Sequence, residues 1–406
     1  MQASKAKLCM VNSFDSRPGI LWRQVWGLAA LEAGIIFSWM AYSFYQPKIL
    51  QKLEFVELAG WLGIMQGLLA TVIEPFIGQF SDRIQQRFGN RLPMISVGVT
   101  LAGTIFVIVS LLVEQNLTGG IRWLVPALMT MWVIAIIIFR APAIALLTQF
   151  VPVTELPQAN AVLVFVFAFI GAIAPVLNIF IKNIGASMTF LLGAIALIMG
   201  GYILRSLTPF HTLKPYPLND EIPANTPTLL LILIFVVGLG TGLEINLLMS
   251  LFPQELQLQF PGIRLEFITS GILIVAAIAS MILGEWTAQI GANKAMLLGL
   301  GTMTGLMGLA LLNDIDSFVV GFIVAFGVSF GFIFVSMIPF CLGKVLYHQA
   351  GLATGLYFSG IAGATALVSI LIKQSIITSL GAFLLAEFAF FVVAGCIAIT
   401  KKISLT

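Results

Sequence analysis

The sequence predicts an all-α integral membrane protein with twelve transmembrane helices in two pseudo-symmetric six-helix bundles. Three observations carry that expectation. Of the 406 residues, 59% are hydrophobic and only 9% are charged, and the mean hydropathy is +1.06. An ordinary soluble domain carries about 25% charged residues, so the solvent for most of this chain is lipid. Twelve separate apolar runs are long enough to cross a bilayer, and short patterns recur at matching places in the two halves of the chain.

A helix crossing about 30 Å of hydrocarbon needs roughly 20 mainly apolar residues. Runs that meet this requirement cover 21–46, 57–80, 93–113, 122–149, 159–181, 185–205, 228–252, 266–290, 295–312, 317–340, 350–373 and 379–400. Breaks are expected at Pro47-Lys48, Asp82-Arg83, Glu114-Gln115, Pro152 to Pro157, Pro253 and Asp314 to Asp316. The runs are continuously apolar, which opposes the alternation of a transmembrane β-barrel. Residues 1–20 include Lys5, Lys7, Asp15, Arg17 and Pro18 and lack an apolar core, so they read as a cytoplasmic tail and not a signal peptide. The segment 206–227, with Pro209, Pro215, Pro217, Pro223, Pro227, Asp220 and Glu221, reads as a hydrated linker between bundles 21–205 and 228–400, with 401–406 as a second tail.

Charge sets the expected orientation, because cytoplasmic loops are enriched in Lys and Arg. With both termini in the cytoplasm, thirteen Lys and Arg fall inside and six (Lys48, Lys52, Arg122, Lys182, Arg264, Lys373) outside, with Arg140 left within the membrane. The scattered basic residues form no stripe that could follow nucleic-acid phosphates. Cys9, Cys341 and Cys396 lie too far apart for a metal or redox motif, and His211 and His348 both fall in loops. These features exclude a soluble enzyme and a nucleic-acid binder, and they imply neither a cofactor nor a metal.

Internal repetition supports the two halves. Gly78-Gln-Phe-Ser-Asp82-Arg83 followed by Gly89 closes span two, and Gly284-Glu-Trp-Thr-Ala288 followed by Gly291 and Lys294 closes span eight. Gln158-Ala159 opens span five as Gln349-Ala350 opens span eleven. The segment from Pro75 to Pro93 is the most informative stretch. Its Gly78, Ser81-Asp82-Arg83, Arg87, Gly89 and Arg91 resemble the signature loop of major-facilitator carriers, in the form found in the glycoside-pentoside-hexuronide and sucrose symporter group. Asn90 and Leu92 stand where that group usually has arginine. Ala33-Gly34, Phe37 and Trp39 are similar to the group's first span, and Trp61-Leu62, Gln66-Gly67 and Glu74-Pro75 to its second. Ala143 to Gln149 and Ala159-Asn160-Ala161 are similar to its fourth and fifth.

The resemblance implies a major-facilitator fold, alternating access, and a small polar solute as substrate, with a sugar or glycoside first. The signature loop has two readings: a latch of Gly78, Asp82, Arg83, Arg87, Gly89 and Arg91 that forms in one conformation, or a solvated basic loop that sets topology. In the latch, Asp82 faces a helix N-terminus or a basic residue, and the arginines bind Asp82 or lipid phosphates.

Ionisable residues at bilayer depth are costly unless paired or facing water. Glu32, Glu74 and Arg140, on spans one, two and four, each lie about 12–13 Å from the inner boundary at 1.5 Å per residue, and because the resemblance implies that these spans share one bundle they are expected to cluster. That cluster is either a coupling site that takes up a proton or a permanent ion pair holding the bundle together. In the sodium-coupled members of the resembling group, carboxylates stand where this chain has Ala70 and Arg140, so proton coupling or none is expected in place of sodium. Gln149 stands where the sucrose group has an acid. Glu244 and Asn246 are expected to line the cavity from span seven, and Gln66 to line it from span two. Trp39 and Tyr42 are expected either to stack on a sugar ring or to pack internally. Glu285 is expected at the interface, and Glu387 in a helix–helix hydrogen bond. A monomer in the plasma membrane, binding a small molecule and a proton, completes the expectation. The alternative is a non-transporting assembly factor or sensor of the same fold.

Overall fold

The computed structural model describes residues 19–115, 117–208, 226–260, 262–312 and 319–403. Most of the linker and of the two tails, the Asp314–Asp316 break, Cys9 and His211 therefore lie outside the described residues. The described residues form helices and contain no β-strand.

Among the described residues, twelve helical segments are long and apolar enough to span a bilayer. They are α1 (Trp22–Lys52), α2 (Val56–Phe88), α3 (Leu92–Leu112), α4 (Leu124–Ala145), α5 (Leu156–Ala172), α6 (Ala186–Leu207), α7 (Thr228–Gln259), α8 (Leu265–Ile290), α9 (Ala292–Leu312), α10 (Val319–Leu342), α11 (Ala350–Lys373) and α12 (Ser379–Ile403). Away from interior prolines their backbones satisfy their own hydrogen bonds, which hydrocarbon demands. Large apolar side chains such as Phe76, Val72, Leu384 and Phe388 are exposed on the outer helix faces. Such a surface fits lipid better than water.

Several helices outrun the apolar segments. α1 continues through Pro47 to Lys52, α7 through Pro253 to Gln259, and α2 past Asp82 to Phe88. Hydropathy falls where the membrane ends, but a helix ends only where its hydrogen bonds do. α2 stops at Gly89, whose φ of +77° breaks the right-handed path. Span five, expected as one helix over 159–181, is broken at Ile173 and resumes as Ala174–Ile184. Pro175, in the first turn of that second piece, has no N–H to continue the ladder.

Within the first half, α1 packs on α6 and α3 on α4 and α6. In the second, α7 packs on α11 and α12, and α9 on α10. Two long seams join the halves, α2 against α11 and α5 against α8, and α10 also meets α5. The faces of the molecule are named below by the residues at them: the Asp82 face, where α1 begins and α12 ends, and the opposite Lys48 face.

Candidate functional site

The α2–α11 seam is built on glycine. A Cβ at Gly78 would overlap the Gly351 carbonyl, and one at Gly351 would stand 2.6 Å from the Gly78 oxygen and 2.7 Å from Asp82 Oδ1. This contact brings the start of α11 onto Asp82, which accepts the Gly351 N–H at Oδ1 and the Leu352 N–H at Oδ2, both at 2.8 Å. Those are orphan donors of a helix N-terminus, where a carboxylate is favoured by charge and geometry. Arg91 donates to Asp82 Oδ1 at 2.5 Å and to the Ala145 carbonyl at 3.5 Å, with its side chain 0% exposed. Asn90, the departure from the resembling pattern, accepts the Leu92 N–H at 3.0 Å and so helps to start α3.

Among the three loop arginines, Arg91 reaches Asp82. Arg83 and Arg87 are exposed, and Arg87 lies over the Phe88 ring. Gly351, Leu352 and Gly355 complete this contact from the other half. The only sequence signal for them was the four-residue spacing of Gly351 and Gly355, a pattern frequent in glycine-rich helices. Gly351→Val should separate α2 from α11 and break both backbone donations. The expected readout is much faster reaction of a soluble maleimide with a cysteine introduced at the buried Ser81 of α2, compared with the same cysteine opposite glycine.

The α5–α8 seam repeats the close packing without the charge. A Cβ at Gly284 would stand 2.8 Å from the Ala161 Cβ and 3.2 Å from the Gln158 Cα, and Ser280 donates to the Ala161 carbonyl at 3.3 Å. Ala288 occupies the place that Asp82 holds in the first half.

Deeper in the first half, α1, α2 and α4 bring the expected charges together. Arg140 lies 3.9 Å from Glu74 across α4 and α2, and its charge also acts on Glu32 of α1. Glu74 is buried and its Oε2 has no hydrogen-bond partner among the described residues, whereas the Arg140 side chain is 32% exposed. The guanidinium sits 4.2 Å from the centre of the Phe358 ring on α11, so Arg140 touches both halves. Cation–π contact of this kind stabilises a cation that has lost water.

Trp39 and Tyr42 of α1 pack against each other and against Trp132 of α4. The buried Tyr42 ring stacks on Trp132 at 4.9 Å, and Trp132 stacks in turn on Phe106 at 4.3 Å. The half-buried Trp39 meets both Tyr42 and Trp132 edge-on. The Tyr42 hydroxyl donates to Gln66 Oε1 at 2.7 Å, and Gln66 Nε2 donates to Thr130 at 3.4 Å. Gln66, expected at the cavity, is thus consumed inside the first half.

Glu244 and Asn246 separate for a geometric reason. Residues two positions apart on a helix are turned by about 200°, so they face different neighbours. Asn246 donates to Gly242 and, at 3.2 Å, to Thr365 of α11. Glu244 turns toward α9, is 0% exposed and accepts from Thr304 at 2.9 Å. Glu285 is exposed, and Glu387 is half-buried with no hydrogen bond to the described residues.

The family model described as Major Facilitator Superfamily matches residues 28–369. The chain belongs to the major facilitator superfamily. Among solved structures with this superfamily's architecture, it is similar to a bacterial homologue of the iron transporter ferroportin in an outward-facing state. The TM-score is 0.68 at 14% identity, covering 96% of this chain and 100% of that one. It is also similar to the superfamily's proton:xylose symporter XylE bound to 6-bromo-6-deoxy-D-glucose, with a TM-score of 0.63 at 12% identity and 94% of each chain covered. At these identities the likeness shows the major-facilitator fold alone.

Proposed function

We propose that the protein is a secondary transporter that moves a small polar solute by alternating access, with a sugar or glycoside first and a proton as coupling ion. The observation that carries this reading is the Glu74–Arg140 pair at bilayer depth, with Arg140 reaching across to Phe358. A charge pair that held only one bundle together would have no need of a side chain from the other half. Here the base is shared between the halves, so moving them apart changes what the acid meets. The proposed coupling event is proton uptake by Glu74, with Glu32 as a second carboxyl acting on the same base.

The Asp82 face is proposed as the cytoplasmic one, with both termini there and residues 21–205 and 228–400 as the moving units. Asp82, Arg91 and the start of α11 form the latch that holds that face shut. The resemblance of the first half to sucrose-type carriers, and the likeness of fold to a xylose symporter, support the sugar choice.

Uptake into proteoliposomes tests the reading, using labelled sugars, organic acids and amino acids with and without a pH gradient. Acid outside and alkaline inside should drive accumulation of the transported solute. Glu74→Gln should abolish accumulation above equilibrium while leaving solute exchange measurable. Gradient-driven accumulation that survives Glu74→Gln would remove that residue from the coupling mechanism, and a pure leak of ions would remove transport by alternating access.

A further inference from the structure

Proline inside a helix leaves the carbonyl four residues earlier without its donor, because the ring nitrogen carries no hydrogen. In hydrocarbon such a carbonyl has no water to turn to, and leaving it bare is costly. Five of the spanning helices contain an interior proline: Pro47, Pro75, Pro142, Pro253 and Pro339. The carbonyls they release belong to Ser43, Thr71, Ile138, Met249 and Val335.

Two of these carbonyls are capped by side chains, and both caps come from the opposite half. Ser359 of α11 donates its hydroxyl to the Thr71 carbonyl of α2. Asn160 of α5 donates its amide to the Val335 carbonyl of α10 at 3.0 Å and to that of Phe334 at 2.9 Å. The arrangement is reciprocal: the first half supplies one orphan acceptor and one donor, and so does the second. Both donors are buried, and Gly355 lets α11 lie against α2 at Pro75, 3.3 Å from that proline's Cα to a Cβ placed there. Among the described residues no side chain donates to the carbonyls of Ser43, Ile138 or Met249.

We propose that Ser359 and Asn160 are positioning residues of the transport cycle. Each completes, from one half, a helix ladder that proline has broken in the other, so closure of the Asp82 face and straightening of α2 and α10 are one event. Separating the halves removes both donors at once and leaves two helices with a free carbonyl at a proline, where they bend. The inference rests on the alternating-access reading. It adds residues that neither touch solute nor carry charge.

The test reads conformation and needs no solute. Spin labels at Ser206 and Lys294, on the Asp82-face ends of the two halves, report open and closed populations in a background with the three cysteines replaced. Ser359→Ala and Asn160→Leu should each raise the open-to-closed ratio about threefold to tenfold, the range expected for one buried hydrogen bond in a membrane protein. Pro75→Ala restores an N–H at position 75 and gives the Thr71 carbonyl its own donor. In that background Ser359→Ala should change the ratio by less than about twofold, which a double-mutant cycle measures. Pro339→Ala should cancel the effect of Asn160→Leu in the same way.

Equal effects of Ser359→Ala with and without Pro75 would overturn the proposal, since ordinary packing does not depend on that N–H. An unchanged ratio in the parent background would overturn it as well. Ser359→Thr keeps the hydroxyl and should keep the parental distribution, which separates loss of the donor from a folding defect. Because no solute is added, a protein that fails every uptake assay still gives an answer here, and a failed cycle leaves the transport reading standing.

Discussion

Asp82→Ala should be the most damaging single substitution at the Asp82 face, costing about 3–5 kcal/mol, the usual penalty for stranding one partner of a buried ion pair. Arg91 is 0% exposed and Asp82 is its counter-charge at 2.5 Å. The same change removes the acceptor for two N–H groups at the start of α11. The expected results are a clear drop in the thermal unfolding midpoint in detergent and at least about a tenfold loss of uptake, since every 1.4 kcal/mol is a factor of ten in an equilibrium. The double variant Asp82→Ala with Arg91→Met should be more stable than Asp82→Ala alone, because it leaves no unpaired charge. If the double variant is as unstable as the sum of the singles, the ion pair is not what holds this corner.

Arg140→Ala should exceed Glu74→Gln in its effect on stability, although the two residues form one pair. Glu74 is buried and already has one oxygen without a partner. Removing the guanidinium leaves a carboxylate at bilayer depth with no cation beside it, and a stranded buried acceptor costs about 1–3 kcal/mol, more when charged. Glu74→Gln instead leaves Arg140, which is partly exposed and retains Phe358. The expected pattern is a large stability loss for Arg140→Ala, recovered in part by adding Glu74→Gln. For Glu74→Gln alone, the expected pattern is near-normal stability with lost coupling. Matching unfolding midpoints for the two single variants would show that the pair is not buried as described.

The charged cluster shows how far depth arithmetic reaches. Counting residues from each span end placed Glu74, Arg140 and Glu32 at one level, and the structure brings Arg140 to Glu74 and within electrostatic reach of Glu32. The same counting could not separate Glu244 from Asn246, because which face of a helix meets which neighbour depends on packing and not on depth. It also could not tell that Tyr42 and Gln66 satisfy one another. An aromatic stripe on a central helix reads the same whether it lines a cavity or packs into its own bundle.

Glycine and proline were legible as positions but not as roles. Gly78 stood out within the signature loop, whereas its partner Gly351 lay 273 residues away in a helix with several glycines. Pro75 and Pro339 fell inside the expected spans 57–80 and 317–340, and nothing in the sequence showed that the carbonyls they release would be met by Ser359 and Asn160 of the opposite half. Pro175, which did break span five, looked no different in the sequence.

The sequence by itself determined the solvent, the number of spans and the chemistry available at bilayer depth. Those follow from composition and run length, which are local properties summed along the chain. Only the tertiary structure decided which halves of each contact meet: Asp82 with the start of α11, Arg140 with Phe358, and Ser359 and Asn160 with carbonyls that proline had freed. The physical reason is that each is a pairing across the interface between bundles, between residues far apart in the chain. A one-dimensional pattern records what each helix lacks and not which neighbour supplies it.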